Sequence, residues 1–140
     1  MRMSKLFSRT LREAPNSADS KGYEYLLRAG FIRQLGAGIF NLLPLGFRAV
    51  TKIEAIIREE MDRIGGQEIL MPLINPADVW KETGRYYSID REMSRFKDRV
   101  GRDMVLAMTH EEVVTDLARG EIDSYKRMPL LVYQIQTKWR

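Results

Sequence analysis

Leu106-Ala107-Met108-Thr109-His110-Glu111-Glu112 is the stretch whose reading decides this chain. A short apolar run gives way to a threonine, and two carboxylates follow. Thr109 with Glu112 three residues on has the form of a capping box. The hydroxyl takes an unpaired amide of the first helical turn, and the carboxylate reaches back to the threonine N–H. That leaves His110 and Glu111 without a role. A carboxylate held where strand becomes helix is also a natural anchor for a cation, and the local sequence leaves both readings open.

The companion stretch is the final run, Tyr133-Gln134-Ile135-Gln136-Thr137-Lys138-Trp139-Arg140. With a period of two, Leu131, Tyr133, Ile135, Thr137 and Trp139 share one face, and Gln134, Gln136, Lys138 and Arg140 share the other. A half-buried strand with a solvated polar face gives this alternation. So does a strand whose polar face floors a cleft.

Between and before these runs the chain alternates helices with short strands. A helix is expected from about Asp19-Ser20 to a stop at Gly30. Phe31–Leu35 and Ile39–Leu43 should pair as a hairpin around Gly36-Ala37-Gly38, with Pro44-Leu45-Gly46 ending it. Phe47, Val50, Ile53, Ile57, Met61 and Ile64 recur at spacings of three and four and predict a long helix over 47–64, stopped by Gly65-Gly66. Glu54 and Arg58 make an i,i+4 pair on its wet side. A strand over 68–71 runs into Pro72, which cannot donate to a ladder. Asn75-Pro76-Ala77-Asp78 reads as a helix entry, and Gly84 as that helix's end. Residues 85–94 read as a loop. Residues 95–99 and 104–108 read as a second hairpin, and Glu111 to about Arg119 as a helix with Gly120 behind it.

Composition narrows the chemistry. At 140 residues, 44% hydrophobic and 30% charged, the chain can bury a core. With no cysteine it has no disulfide, thiolate nucleophile or cysteine-bound zinc, and a single histidine cannot build a polyhistidine metal centre. A net charge of +4 permits a nucleic-acid partner without establishing one. No apolar run approaches the ~20 residues that span a bilayer. Arg2, Lys5, Arg9 and Arg12, with no acid among them, faintly resemble a mitochondrial presequence. Glu13-Ala14-Pro15-Asn16 leads straight on into structure, so an ordinary basic segment of a soluble, cytoplasmic protein is the expectation.

These residues together resemble the N-terminal part of bacterial-type prolyl-tRNA synthetases, a family of class II aminoacyl-tRNA synthetases. Leu26-Leu27-Arg28-Ala29-Gly30-Phe31-Ile32-Arg33 is similar to the family's opening helix and hairpin. Arg58-Glu59-Glu60-Met61 through Leu70-Met71-Pro72 resembles its first signature motif, and Trp80-Lys81-Glu82-Thr83-Gly84-Arg85 the segment after it. Thr109-His110-Glu111-Glu112 resembles the Thr-x-Glu substrate loop, and the final run the start of the second motif. Trp139 stands where phenylalanine is more usual, which would keep an apolar ring on a buried face.

The resemblance implies an α+β fold, an antiparallel sheet with flanking helices, as an incomplete class II catalytic domain occupying residues 1–140 and cut within the second motif. It implies a proline–tRNA ligase that activates proline with ATP, accompanied by Mg2+, and transfers it to tRNA(Pro). Glu111 would hold the proline ammonium, with Thr109 adding a hydrogen bond. Arg140 would be the catalytic and ATP-binding residue at the α-phosphate. Pro72 and the helix before it would serve a homodimer interface. No resident metal site and no membrane contact are implied. The third motif, any editing insertion and the anticodon-binding domain lie outside these residues, so residues 1–140 alone are expected to be inactive. Two alternatives stand beside this: a non-catalytic synthetase-like module that binds RNA or protein, and a synthetase of the same subclass for threonine or serine.

Overall fold

The structure, a computed structural model, describes residues 2–13 and 20–139. Asp19, Ala14-Pro15-Asn16 and Arg140 therefore lie outside the described residues. The chain forms two compact units, Met1–Glu60 and Met61–Arg140. Their boundary falls inside a helix, so no linker in the sequence marks it.

In the first unit, helix α1 (Lys21–Arg28) starts where Ser20 Oγ accepts the Tyr23 N–H at 3.3 Å. The chain leaves it through Gly30 at φ 73°. Strands β1 (Ile32–Gly36) and β2 (Ile39–Leu42) pair antiparallel, Ile32 opposite Leu42, with the register slipping between Gln34 and Gly36. The Arg33 guanidinium ties this hairpin to its surroundings, donating to the carbonyls of Leu27 at 2.7 Å and Arg9 at 2.6 Å.

Helix α2 (Pro44–Arg63) begins three residues before Phe47, the expected start. The hairpin ends before Pro44, as expected. Pro44 occupies the first helical position, where its missing N–H costs nothing and its fixed φ suits a helix. Gly46 makes that start possible, since a Cβ there would stand 2.2 Å from the Phe31 carbonyl oxygen. Glu54 and Arg58 pair as expected, at 3.4 Å. The apolar stripe is present, but Phe47, Ile53, Ile56 and Ile57 are exposed. Among the described residues, the unit's buried hydrophobic side chains are Leu27 and Ile32, far too little to cover a 20-residue helix.

The second unit opens with the end of α2. Gly66 N–H donates to Met61 O and Gly65 N–H to Asp62 O, both at 2.9 Å, the paired bonds of a Schellman stop, with Gly65 at φ 83°. Strand β3 (Gln67–Glu68) then pairs with β7 (Val132–Tyr133). This pair is parallel and two residues long. The antiparallel expectation fails here, and so does the regular strand expected along residues 131–139.

The other sheet is antiparallel throughout: β4 (Ile74–Pro76), β5 (Arg95–Lys97) and β6 (Asp103–Leu106), in the order β4-β6-β5. The expected second hairpin is β5–β6. The expected helix entry at Asn75-Pro76 is strand instead, and helix α3 (Asp78–Glu82) follows Ala77. Part of the expected loop is a short helix, α4 (Arg85–Ser88). The rest is held by Arg95, which donates to the carbonyls of Tyr86, Ile89, Asp90 and Met93. Helix α5 (Glu111–Glu121) runs through Gly120 without stopping. Ala77, Trp80, Met93, Val105 and Ala107 form the core, with Leu73, Val79, Tyr86, Ile89 and Met108 packed around it.

Candidate functional site

The loop between β6 and α5 is fixed at both edges of Ala107. Its N–H donates to Leu73 O at 2.8 Å, and its carbonyl accepts the Trp139 N–H at 2.9 Å. The loop carrying Thr109 and Glu111 is thus joined to the backbone one residue before Arg140. Arg140 itself lies outside the described residues.

The capping box does not form. His110, not Thr109, is the residue before the helix, and no side chain caps it. Thr109 Oγ1 accepts only a long 3.5 Å bond from the Glu111 N–H. Glu112 turns inward, with its side chain 3% exposed, and accepts from Arg85 Nη1 at 2.6 Å. A charge-assisted bond in a buried setting outweighs a reach back to a solvated loop. The other carboxylate oxygen of Glu112 is buried without a partner. Glu111 stays exposed at the wall of a shallow cavity of about 130 Å³ with Thr83, Thr115, Asp116 and Arg119. Arg119 is already engaged with Glu82 at 2.9 Å.

The terminal segment faces opposite to a simple half-buried strand. Its polar side is the more enclosed one. Gln136 brackets a single residue: its Oε1 accepts the Met71 N–H at 2.9 Å and its Nε2 donates to the Met71 carbonyl at 2.8 Å. A side-chain amide here takes over from the backbone pairing that ends with Ile69 N–H to Tyr133 O at 2.9 Å, which is why the strands expected at 68–71 and 131–139 are so short. Trp139 is 44% exposed, not buried, and its indole N–H donates to Ser94 Oγ at 2.7 Å.

His110 is fully buried where these pieces meet. Its Nε2 lies 3.0 Å from the Pro72 carbonyl, and Lys138 Nζ contacts its Nδ1. An ammonium can only donate and needs an accepting Nδ1, and the Pro72 carbonyl favours a proton on Nε2; the Gln136 amide nitrogen, also only a donor, opposes that proton. The Gln136 amide nitrogen lies 2.8 Å from the same Nε2. Burial holds the His110 pKa below its ordinary 6.5, and the Lys138 charge pushes the same way; the Pro72 carbonyl and Glu111 act against them. Pro72 is exposed, while its carbonyl also accepts the Asn75 amide at 2.8 Å. Asn75, itself fully buried, accepts the Trp80 indole N–H at 3.3 Å.

The structure thus brings Thr109, Glu111 and the approach to Arg140 onto one frame. The sequence reading missed the frame's centre, His110, and the Arg85–Glu112 pair. A trace of His110 was visible: it is expected at the helix start, where the structure has it, in a chain whose last run puts Gln136 and Lys138 on one face. Among the described residues no three His, Cys, Asp or Glu side chains converge as a metal site. No helix among them is long and apolar enough to cross a membrane.

No family model matches the chain. Individual proteins do. Over all 140 residues it is 56% identical to the proline–tRNA ligase of Salinispora tropica and 56% identical to that of Pelotomaculum thermopropionicum. It spans 24% and 25% of their lengths, about a quarter of the curated relatives it matches. Among solved structures, Giardia lamblia prolyl-tRNA synthetase in complex with prolyl-adenylate superposes with a TM-score of 0.68 at 23% identity, over 79% of this chain and 24% of that one. The RNA binding domain of threonyl-tRNA synthetase from Cryptosporidium parvum gives 0.66 at 22% identity, over 74% and 26%. At these identities the superpositions show the class II synthetase fold and do not separate proline from threonine enzymes. Sequence does separate them: over its whole length the chain is similar to proline–tRNA ligases, and it corresponds to the N-terminal quarter of these relatives.

Proposed function

We propose that residues 1–140 are the N-terminal portion of a class II catalytic domain and supply the amino-acid side of a proline–tRNA ligase site. The observation that carries this is the bond from Trp139 N–H to Ala107 O at 2.9 Å, which joins the Thr-x-Glu loop to the start of the second motif. In this reading Glu111 holds the secondary ammonium of proline and Thr109 adds a hydrogen bond, a charge-assisted contact of about 1.5–3 kcal/mol. The proline carboxylate attacks the α-phosphorus of ATP. A bond forms from carboxylate oxygen to phosphorus, the bond to the bridging oxygen breaks, and pyrophosphate leaves. Arg140 offsets charge on the α-phosphoryl oxygens, where its planar fork suits two neighbouring anions. No general base is needed, because a carboxylate is already a nucleophile. The hydroxyl oxygen of tRNA(Pro) then bonds to the prolyl carbonyl carbon, the acyl–oxygen bond to the phosphate breaks, and AMP leaves with the hydroxyl proton passing to solvent. Mg2+ would enter as the companion of ATP.

The same reading pairs two copies through α2 and Pro72. The exposed Phe47, Ile53 and Ile57 on α2 and the exposed Pro72 ring support it, each within its own unit.

Glu111→Gln in a full-length ligase carrying this sequence tests the site. Proline KM should rise about tenfold or more while ATP KM stays within about twofold, because only the amine loses its counter-charge. Equal losses for both substrates would defeat the assignment. Residues 1–140 alone should give no proline-dependent pyrophosphate exchange.

A further inference from the structure

His110 sits between three segments that the reaction needs held in one arrangement: the carbonyl of Pro72, the loop bearing Thr109 and Glu111, and the segment 134–139 that ends at the residue before Arg140. We propose that His110 is a positioning residue: as a neutral imidazole donating from Nε2 to Pro72 O and accepting at Nδ1 from Lys138, it sets where the 134–139 backbone lies relative to Glu111. The proposal rests on the ligase reading for its catalytic consequence.

Several features make this more than a buried histidine satisfied by chance. The ring is fully enclosed and joins two segments: Nε2 meets the Pro72 carbonyl and the Gln136 amide, and Nδ1 meets Lys138. Lys138 and Gln136 stand two residues apart on one face of the terminal segment, and both contact the ring. Gln136 also clamps Met71, the residue before Pro72. The terminal segment, with only two residues of regular ladder at β7, is therefore held by side chains where a longer strand would be held by backbone. Held this way, its placement depends on the ring's tautomer. A proton on Nδ1 would oppose the Lys138 ammonium and release that end. Among the described residues, the charged groups acting on the ring are Lys138 from the terminal segment and Glu111 from the start of α5; Pro72 and Gln136 contribute only dipoles.

Two measurements test the proposal. His110 is the chain's single histidine, so imidazole nitrogen NMR on residues 1–140 reads it alone. The neutral, Nε2-protonated form is expected at pH 7, titrating below 6.5. Lys138→Met should raise that titration point by removing a neighbouring cation. An Nδ1-protonated ring, or a titration unmoved by Lys138→Met, overturns the proposal. In a full-length ligase, His110→Leu should lower kcat for proline-dependent exchange about 10²-fold, the scale of a 1 Å misplacement, with proline KM nearly unchanged. His110→Asn, which keeps an acceptor for Lys138, should recover most of that loss. A folded His110→Leu enzyme at wild-type kcat overturns the proposal. If His110→Leu fails to fold, Lys138→Met replaces it, and an unchanged pH profile of kcat overturns the proposal. A wild-type ligase without proline-dependent exchange would refute the functional reading instead, and the NMR result would still decide the placement of Lys138 on the ring.

Discussion

The junction at His110 and the outer face of α2 break the usual rule of burial in opposite directions. In the junction Asn75, His110 and Glu112 are buried polar groups, and each has at least one specific partner: the Pro72 carbonyl for the first two, Arg85 for the third. On α2, Phe47, Ile53, Ile56 and Ile57 are apolar and exposed. Hydrogen bonds in a buried polar interior restrict its geometry, because a shift leaves further donors or acceptors unpaired. An apolar exterior fixes nothing by itself and asks to be covered. The first is how a fold holds reacting groups still; the second is how it leaves a surface for something else.

The largest expected effect lies beside the junction. Trp80 is fully enclosed, carries the Asn75 bond and lies under the Arg85 guanidinium at 5.3 Å from its ring. Trp80→Ala should destabilise the second unit by about 3–5 kcal/mol, from lost transfer energy and the cavity left behind. Urea unfolding monitored by near-UV dichroism would measure it, and a loss under about 1 kcal/mol would mean that the core around α3 is not packed as described. Arg85→Leu comes next. It strands the Glu112 carboxylate, whose second oxygen already has no partner, at a cost of about 3 kcal/mol. The double variant Arg85→Leu/Glu112→Leu should recover most of it. If the double variant is as unstable as the single one, the pair is not what holds α4 to α5.

Which parts were legible in the sequence follows from the same contrast. Periodicity and punctuation report backbone structure locally: the α2 stripe, the glycine-turned hairpin at 32–42 and the β5–β6 hairpin could all be read with small boundary errors. Thr109, Glu111 and the terminal run could be named because a family motif carries them. The side chains that join distant segments left almost no local signal. Gln136 replacing a strand partner for Met71 shortened two expected strands, and Arg85 taking Glu112 dissolved a capping box that local spacing favoured. Such choices are settled by burial, which a linear pattern does not contain.

The two regions should also differ in their response to acid. In the unfolded chain His110 takes a proton near 6.5, while the folded ring, its pKa lowered, does not until the pH falls further. Between those points the unfolded state binds more protons, so stability is intact above 6.5 and declines as the pH drops below it, by at most about 1.4 kcal/mol per pH unit for one proton. A second decline follows at lower pH. Asp103, bonded to Lys81 at 2.8 Å and Lys97 at 2.7 Å, is held down to about 2, so its contribution is present above 3.8 and lost as the pH falls through that range. His110→Asn should remove the first decline and leave the second; Asp103→Asn should do the reverse. A single step insensitive to both variants would show that neither group governs acid unfolding.

The smallest expected effect is on the α2 face, and its smallness is the informative part. Ile53 and Ile57 are 57% and 45% exposed, one turn apart, in a helix whose cap and hairpin contacts lie elsewhere. Glutamine is a slightly better helix former than isoleucine, and substitutions of exposed side chains away from special features stay within about 0.5 kcal/mol. Ile53→Gln/Ile57→Gln should therefore leave the unfolding midpoint of a dilute sample nearly unchanged. Association should respond instead. If this face is what a second copy covers, sedimentation of the wild-type chain should show a concentration-dependent rise in mass that the double variant lacks. A loss of more than about 2 kcal/mol at low concentration would mean that these isoleucines are packed within the chain, and the contrast between a fixed polar interior and an open apolar face would fail on its second half. Unchanged stability with unchanged association would leave the face exposed and remove this pair of residues from any dimer contact.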